Sequence, residues 1–516
     1  MQHPLTKVLK IFLIPYKQPQ YNPIYQQKAI ATLSPANNRI IITRCFSGRI
    51  FYPMTVFFCN FVNMEATRKE SGKVDMLHGP LAGKILIFAL PLIASGVLQQ
   101  SFNAVDVAII GRYSTSHAIA AVGSNGPIIS ILVNLFLGIA VGANVVIANY
   151  LGRRSFDAVK RSVSTVAIVA LLSGVILAVL GTTLARPILE AMSAPDDVID
   201  LAATYLRIYF CGMPFAMIYN FGSAIMRSVG DTRRPFYCLI VATICNFVLD
   251  WLFVARLGMG VAGVAWGTVI ANAVNAGIMV MFLTRLSDPV TLSLKRWSLS
   301  MPDFRKMLQI GIPAGLQGMV FSISNIFIQS AINQYGSDAI AGSAAALTYE
   351  AYCYFIVAAF SQATIAFTGQ NHGAGLPDRC RRVWGISMLY SVVLCGTANA
   401  MILWQHNTFI SVFTTDPAVA EYAVTRFKVV LIWQCLASSY EVSGAYMRGL
   451  GYSMTPMILT IFGTCVLRLG WVYVYSAIDH SFATLMTIYP ITWVATGVMV
   501  VAAAFRVQKK AFLCHR

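Results

Sequence analysis

The sequence predicts an all-α membrane protein: twelve transmembrane helices in two six-helix bundles related by a pseudo-twofold axis along the membrane normal. Three observations carry that expectation. Of 516 residues, 57% are apolar and 11% charged, against roughly a quarter charged in soluble domains. With a mean hydropathy of +0.66, this excludes a water-soluble enzyme, a disordered chain and a nucleic-acid binder. From Leu81 onward, apolar blocks alternate with short charged turns, and the blocks repeat at one nearly constant spacing.

The first 75 residues stand apart. Residues 1–63 hold seven Lys or Arg, no Asp or Glu, and a single glycine, Gly48. The apolar run Ile50–Val62 falls short of the about 20 residues a helix needs to cross hydrocarbon. No charged start, apolar middle and small-residue cleavage site appear in order. Residues 1–75 therefore read as an extension outside the fold, with the native start at Met64 or Met76; a disordered cytoplasmic tail is the alternative. The apolar blocks follow at 85–111, 119–149, 162–184, 201–226, 236–256 and 260–283, then at 310–335, 340–370, 383–404, 420–447, 455–476 and 482–505. Each is long enough to span. Without the ten-residue alternation of a barrel, these are helices, because lipid leaves no other way to satisfy the backbone. The domains expected are an N-terminal lobe over 76–283, a linker over 284–309, a C-terminal lobe over 310–506 and a tail over 507–516.

Charge orients the spans. The even-numbered loops and the C-terminus hold twenty Lys or Arg, among them Arg153, Arg154, Arg233, Arg234, Arg379 and Lys509; the odd-numbered loops hold three, Arg112, Arg186 and Arg256. The positive-inside rule then puts both termini in the cytoplasm. The formal charge of +18 is thus a topology signal.

The halves match at an offset of 221–222 residues. Pro91 falls on Pro313, Asn103 on Asn325, Gly152 on Gly373, Met226-Arg227 on Met447-Arg448, Gly230 on Gly451 and Pro235 on Pro456. Six helices per half is an even number, so both halves share one orientation and their axis runs along the membrane normal.

Four acidic residues fall inside spans: Asp106, Asp250, Glu350 and Glu441. A carboxylate in hydrocarbon costs about 2.5–3.5 kcal/mol on insertion scales, so each calls for a partner or a polar cavity. Asn246 and Asp250 are spaced i, i+4 and share one helix face. An amide beside a carboxylate suits a desolvated hard cation or a proton-switched hydrogen bond; a carboxylate that caps a kinked helix or pairs with Arg is the alternative. Ile328 and Trp471 occupy the second-half positions of Asp106 and Asp250, so the acidic pair belongs to the N-terminal half alone. Glu441 matches Asn220, and a polar residue at both positions points to cavity lining, with a salt bridge as the alternative. Glu350 either lines the cavity or pairs with a base. Pro91 and Pro313 remove a backbone bond at matched places and mark hinge sites. Tyr205, Met213, Met217 and Tyr440 form a candidate surface for a flat cationic substrate.

Other chemistry is not supported. Gly79-Pro80-Leu81-Ala82-Gly83-Lys84 is one residue short of a phosphate loop, and Ile85 stands where Ser or Thr would bind magnesium. The eleven Cys form no CxxC, and there is no HExxH. The chain is therefore expected not to be an enzyme and to hold no cofactor and no structural metal.

The stretch Leu90-Pro91 through Asn103-Ala104-Val105-Asp106 to Gly111-Arg112 resembles the first helix of multidrug and toxic compound extrusion (MATE) transporters. Ala120-Ala121-Val122-Gly123, Met226-Arg227-Ser228-Val229-Gly230-Asp231 and Tyr440-Glu441-Val442-Ser443-Gly444 with Met447-Arg448-Gly449-Leu450-Gly451 resemble further blocks of that family. The resemblance covers about residues 77–506 and implies a multi-pass protein of a bacterial inner membrane, working as a monomer. It implies export of drugs, often organic cations, in exchange for Na+ or H+. The branch similar to DinF and MepA proteins implies a coupling site at Asp106, Asn246, Asp250 and Thr268, with Tyr205 and Asn220 nearby. The NorM-like branch also uses an acid in helix seven. This chain has none there, so Glu441 would have to serve. A flippase of lipid-linked sugars in the same superfamily is the rival; it calls for a cationic cavity, for which Arg207, Arg426, Lys428 and Arg468 are the candidates.

Overall fold

A backbone in lipid has no water to bond, so every N–H and C=O must be satisfied within the segment. The computed structural model, which describes residues 73–513 apart from 115, 124, 192–195, 287, 288, 294–296 and 479, accordingly contains helices and no β-strand among the described residues. Among the described residues, ten helices are long and apolar enough to cross a bilayer. In the first half, spans 1, 2, 3, 5 and 6 are Leu81–Tyr113, Gly126–Gly152, Phe156–Ala191, Arg233–Arg256 and Gly260–Thr284. In the second half, spans 7, 8, 9 and 11 are Met301–Asn333, Ser337–Gly373, Pro377–Trp404 and Met454–Ile478, and span 12 is Ile488–Leu513.

The two remaining spans are broken. Span 4 is a pair of helices, Val198–Cys211 and Met213–Ser228, bent by 49°. Span 10 runs Pro417–Val429, then a 3-10 turn at Leu431–Leu436, then Ala437–Gly449. Both breaks fall at matching places in the repeat. The turns that follow match too: Gly230 and Gly451 both take positive φ, at 90° and 92°, where only glycine is unstrained. Each closes its helix in the same way, with the Asp231 amide donating to the Met226 carbonyl and the Tyr452 amide to that of Met447. Two spans also contain a wider π turn, at Trp251–Arg256 in span 5 and at Ile461–Val466 in span 11.

A seam of glycines joins the halves. Span 2 carries Gly138 and Gly142, and span 7 carries Gly311 and Gly315, each pair spaced i, i+4 as in the small-residue contacts of membrane helices. A Cβ added at Gly138 would lie 2.2 Å from the Gly315 amide nitrogen, and one at Gly311 would lie 2.5 Å from the Ile139 Cα. Spans 2 and 8 cross in the same manner at repeat-matched glycines. A Cβ on Gly152 would meet the Gln370 carbonyl oxygen at 2.0 Å, and one on Gly373 that of Asn149 at 2.1 Å. Span 2 therefore touches second-half backbone, first of span 7 and then of span 8, from its middle to the face rich in Lys and Arg.

Polar ties reinforce the closure on that basic face. The Tyr150 hydroxyl donates to Asp303 Oδ1 at 2.7 Å and accepts from Lys306 Nζ at 2.9 Å. The segment before span 1 is part of this network. The Val74 amide donates to the Gly230 carbonyl at 3.0 Å, Asn371 Nδ2 donates to the Met76 carbonyl at 3.1 Å, and Arg379 donates to the carbonyls of Met76 and Gly79, each at 3.1 Å. Residues 74–79 thus bridge the turn after span 4 and the turn after span 8. The extension expected over 1–75 lies outside the described residues as far as residue 72.

Candidate functional site

Four of the site residues expected from the sequence converge in the first half. Span 1 contributes Asp106, span 5 Asn246 and Asp250, and span 6 Thr268; their exposures are 4%, 0%, 0% and 3%. Asp106 and Asp250 lie side by side, with Asn246 next to both. Thr268 Oγ1 donates to Asp106 Oδ2 at 3.4 Å. No Lys or Arg nitrogen pairs with either carboxylate among the described residues, whose buried ion pair is Glu350–Arg426.

This leaves polar atoms without partners. Asp106 Oδ1, both carboxylate oxygens of Asp250 and both amide atoms of Asn246 are buried and unbonded. Leaving such groups dry is costly, and two adjacent carboxylates cannot both be ionised there without a positive charge between them. A shared proton supplies that charge, and so does a small hard cation, for which the donors present are all oxygens of the right class. Gly267 makes room: a Cβ at that position would lie 2.0 Å from Asp250 Oδ1. The π turn begins at Trp251, immediately after Asp250; π turns often accompany functional sites.

Tyr205 borders this cluster. It stacks on Tyr209 at 5.8 Å between ring centroids. Asn220 is not held by the cluster; its amide donates to the Ala216 carbonyl one turn back at 2.8 Å. Met213 and Met217 are buried within span 4. Pro91 lies in the continuous helix of span 1, where Ser95 Oγ donates to its carbonyl at 2.8 Å. Pro313 is buried between the seam glycines Gly311 and Gly315.

The candidates of the second half lie elsewhere. Glu350 lies in the wall of a cavity within the second half and is paired there: Arg426 donates Nε to Oε1 at 2.6 Å and Nη2 to Oε2 at 2.9 Å. Tyr440 lines the same cavity. Glu441 Oε1 accepts from the Tyr354 hydroxyl at 3.1 Å. Of the four intramembrane cations, Arg426 and Arg468 share that cavity, whereas Arg207 and Lys428 are exposed.

Sequence reasoning did not single out Gly267, Tyr209 or the seam. Tyr209 was within reach, since it lies one turn beyond Tyr205 on the same helix face. The two i, i+4 glycine pairs were in plain view as well.

With that geometry in hand, known proteins are informative. The MatE family model matches the chain twice, over residues 91–252 and 313–474, which together make up more than half of it. The probable multidrug resistance protein YoeA of Bacillus subtilis is 29% identical over 386 residues, covering 73% of this chain and 83% of that protein. The probable multidrug resistance protein NorM of Thermotoga maritima is 26% identical over 404 residues, covering 76% and 85%. A solved outward-facing structure of a multidrug resistance MATE family transporter superposes with a TM-score of 0.79 at 21% identity, covering 86% of this chain and 99% of that one.

Proposed function

This chain belongs to the MatE family of multi-span membrane transporters, and from that membership we propose that it is a secondary active multidrug exporter. It expels organic compounds, often cationic, in exchange for Na+ or H+ by alternating access. The observation that carries the reading is the buried cluster of Asp106, Asn246 and Asp250, whose oxygens have no basic partner. An organic cation and a coupling ion compete for the same negative charge there. Binding of the ion from outside neutralises the pair and favours release of the drug; loss of the ion inside restores the charge and favours capture. The coupling ion is cargo, and the reading calls for no resident cofactor.

Span 1 links this chemistry to movement. Pro91 and Asp106 share one helix, so a change of charge at Asp106 acts on a helix already weakened by a missing backbone bond. The glycine seam is the surface that must part when the transporter opens to the basic face. By the distribution of Lys and Arg, that face is cytoplasmic and carries both termini. The protein is placed in a bacterial inner membrane as a monomer.

Flipping of lipid-linked sugars is the less favoured reading. Only two of the four intramembrane cations share a cavity, and at about 220 Å³ it falls below the roughly 300–1,000 Å³ typical of drug-sized pockets.

The test is ethidium efflux from drug-sensitive bacterial cells expressing the chain, Asp106→Asn or Asp250→Asn. Efflux by the parent and its loss in both variants, with membrane insertion intact, is the expected result. Full transport by both variants would sink the assignment. Imposed Na+ and pH gradients in liposomes then identify the coupling ion.

A further inference from the structure

The second half contains a cavity of about 220 Å³ between spans 7, 8, 10, 11 and 12, and Glu350, Arg426 and Arg468 are in its wall. Two guanidinium groups thus meet one carboxylate, and one of them consumes it. Arg426 holds Glu350 through both oxygens and gives its remaining nitrogen, Nη1, to Ser343 Oγ at 2.6 Å.

Arg468 is left over. It is 1% exposed, and no carboxylate lies within ion-pair distance of it among the described residues. Glu441, the other acid inside a span of this half, is engaged by the Tyr354 hydroxyl. Arg468 Nη1 donates to Asn325 Oδ1 at 3.2 Å, and Nε donates to Thr492 Oγ1 at 3.4 Å. Nη2 is buried with no partner. Among the described residues, the further support for the charge is two ring faces, Tyr489 at 4.6 Å and Phe321 at 5.1 Å. Cation–π contacts of this kind return far less than a buried unpaired cation loses in hydration.

The internal repeat shows what this cavity is. At the offset of 221–222 residues, Asp106 falls on Ile328, Tyr205 on Arg426 and Thr268 on Tyr489, while Asp250 falls on Trp471 and Asn246 on Leu467, the residue before Arg468. Ile328, Arg426 and Tyr489 line the cavity together with Arg468. Three residues of the acidic site and its border therefore have their counterparts gathered in one place, with a carboxylate replaced by a hydrocarbon side chain and a tyrosine replaced by a guanidinium group. One backbone plan carries an acidic site in one half and a basic site in the other.

We propose that this cavity is an anion site that takes a single-ring organic carboxylate, with Arg468 Nη2 as its principal donor. A carboxylate there completes the hydrogen bonding of Arg468 and supplies the counter-charge missing from the wall; guanidinium-to-carboxylate bonds are about twice as strong as neutral ones. The aromatic wall, Tyr354, Tyr440 and Trp493, suits a flat ring. The volume admits one ring and excludes larger ligands. The site is separate from the exporter reading, which uses the acidic cluster alone.

The experiment is calorimetric titration of the purified full chain in nanodiscs with benzoate, and with benzamide as the uncharged ligand of the same shape. Benzoate should bind at least about tenfold more tightly than benzamide, a difference of about 1.4 kcal/mol. Arg468→Gln should lower benzoate affinity by at least about tenfold and leave benzamide unchanged, and Asp250→Asn should leave both unchanged. Equal binding of the two ligands, or undiminished benzoate binding by Arg468→Gln, would overturn the proposal. So would saturation by chloride with no gain from the ring. If Arg468→Gln does not fold, the unsubstituted chain still decides: its melting temperature should rise with benzoate and not with benzamide.

Discussion

Gly138→Ala tests whether the seam is the closed gate. The added Cβ would lie 2.2 Å from the Gly315 nitrogen, 2.4 Å from its Cα and 2.6 Å from the Gly311 carbonyl oxygen. Carbon contacts settle at about 3.5–4.0 Å, so spans 2 and 7 must separate by about 1 Å. The opposing atoms are all backbone and cannot rotate away. Overpacking of this kind costs about 1–3 kcal/mol. The penalty falls only on conformations in which the seam is closed. It therefore shifts the balance between the two states by about 5–150-fold toward opening on the basic face. The assay is double electron–electron resonance between spin labels at the exposed residues Arg153 and Arg305, in a background with its own cysteines replaced. A longer distance should gain population in Gly138→Ala. Gly277→Ala, whose Cβ meets nothing within 4 Å, should leave the distribution unchanged. An unchanged distribution in Gly138→Ala, with parental efflux, would refute the seam as a gate.

Three further substitutions bear on the site and its supports. In Gly267→Ala the new methyl meets Asp250 Oδ1 at 2.0 Å and must displace the carboxylate, so efflux should fall to the level of Asp250→Asn while the melting temperature changes little. Glu350→Gln leaves the buried Arg426 charge unpaired and should destabilise the second half by about 3–5 kcal/mol, read as a lower melting temperature; Glu350→Gln with Arg426→Met should recover most of that loss. Arg379→Ala removes the donors to Asn371 Oδ1, Met76 O and Gly79 O, and at about 1 kcal/mol per hydrogen bond, hydrogen exchange over residues 74–79 should accelerate by at least about tenfold.

How far the sequence alone reaches depends on the distance over which each signal acts. The spans and the repeat were legible because composition and a fixed offset are properties of whole segments. The pair Asn246 and Asp250 was legible because both sit on one helix face, and Asp106 because an unexplained carboxylate in a span demands a partner. That these meet Thr268 rested on resemblance until the structure put Thr268 Oγ1 within 3.4 Å of Asp106. Glu350 was left between two roles because its partner, Arg426, lies 76 residues away, beyond any local pattern. The π turns left no trace in composition, since Trp251–Arg256 and Ile461–Val466 look like ordinary apolar helix. The bridge formed by residues 74–79 escaped notice because its contacts are carbonyls and amides, which every residue possesses.

The π turn in span 11 has a genetic consequence. Such a turn holds one residue more than an α-helix needs, so it amounts to a single extra codon. Deleting one of Ile461–Val466 should therefore close the ladder to ordinary α-helix while the following segment, Leu467–Ile478, keeps its facing, whereas a deletion in the ordinary helical turns of Met454–Thr460 should rotate that segment by about 100°. Arg468 would then swing out of its cavity although no atom of its side chain had been altered. An in-frame deletion library should accordingly find a single codon of Ile461–Val466 dispensable and the codons of Met454–Thr460 indispensable.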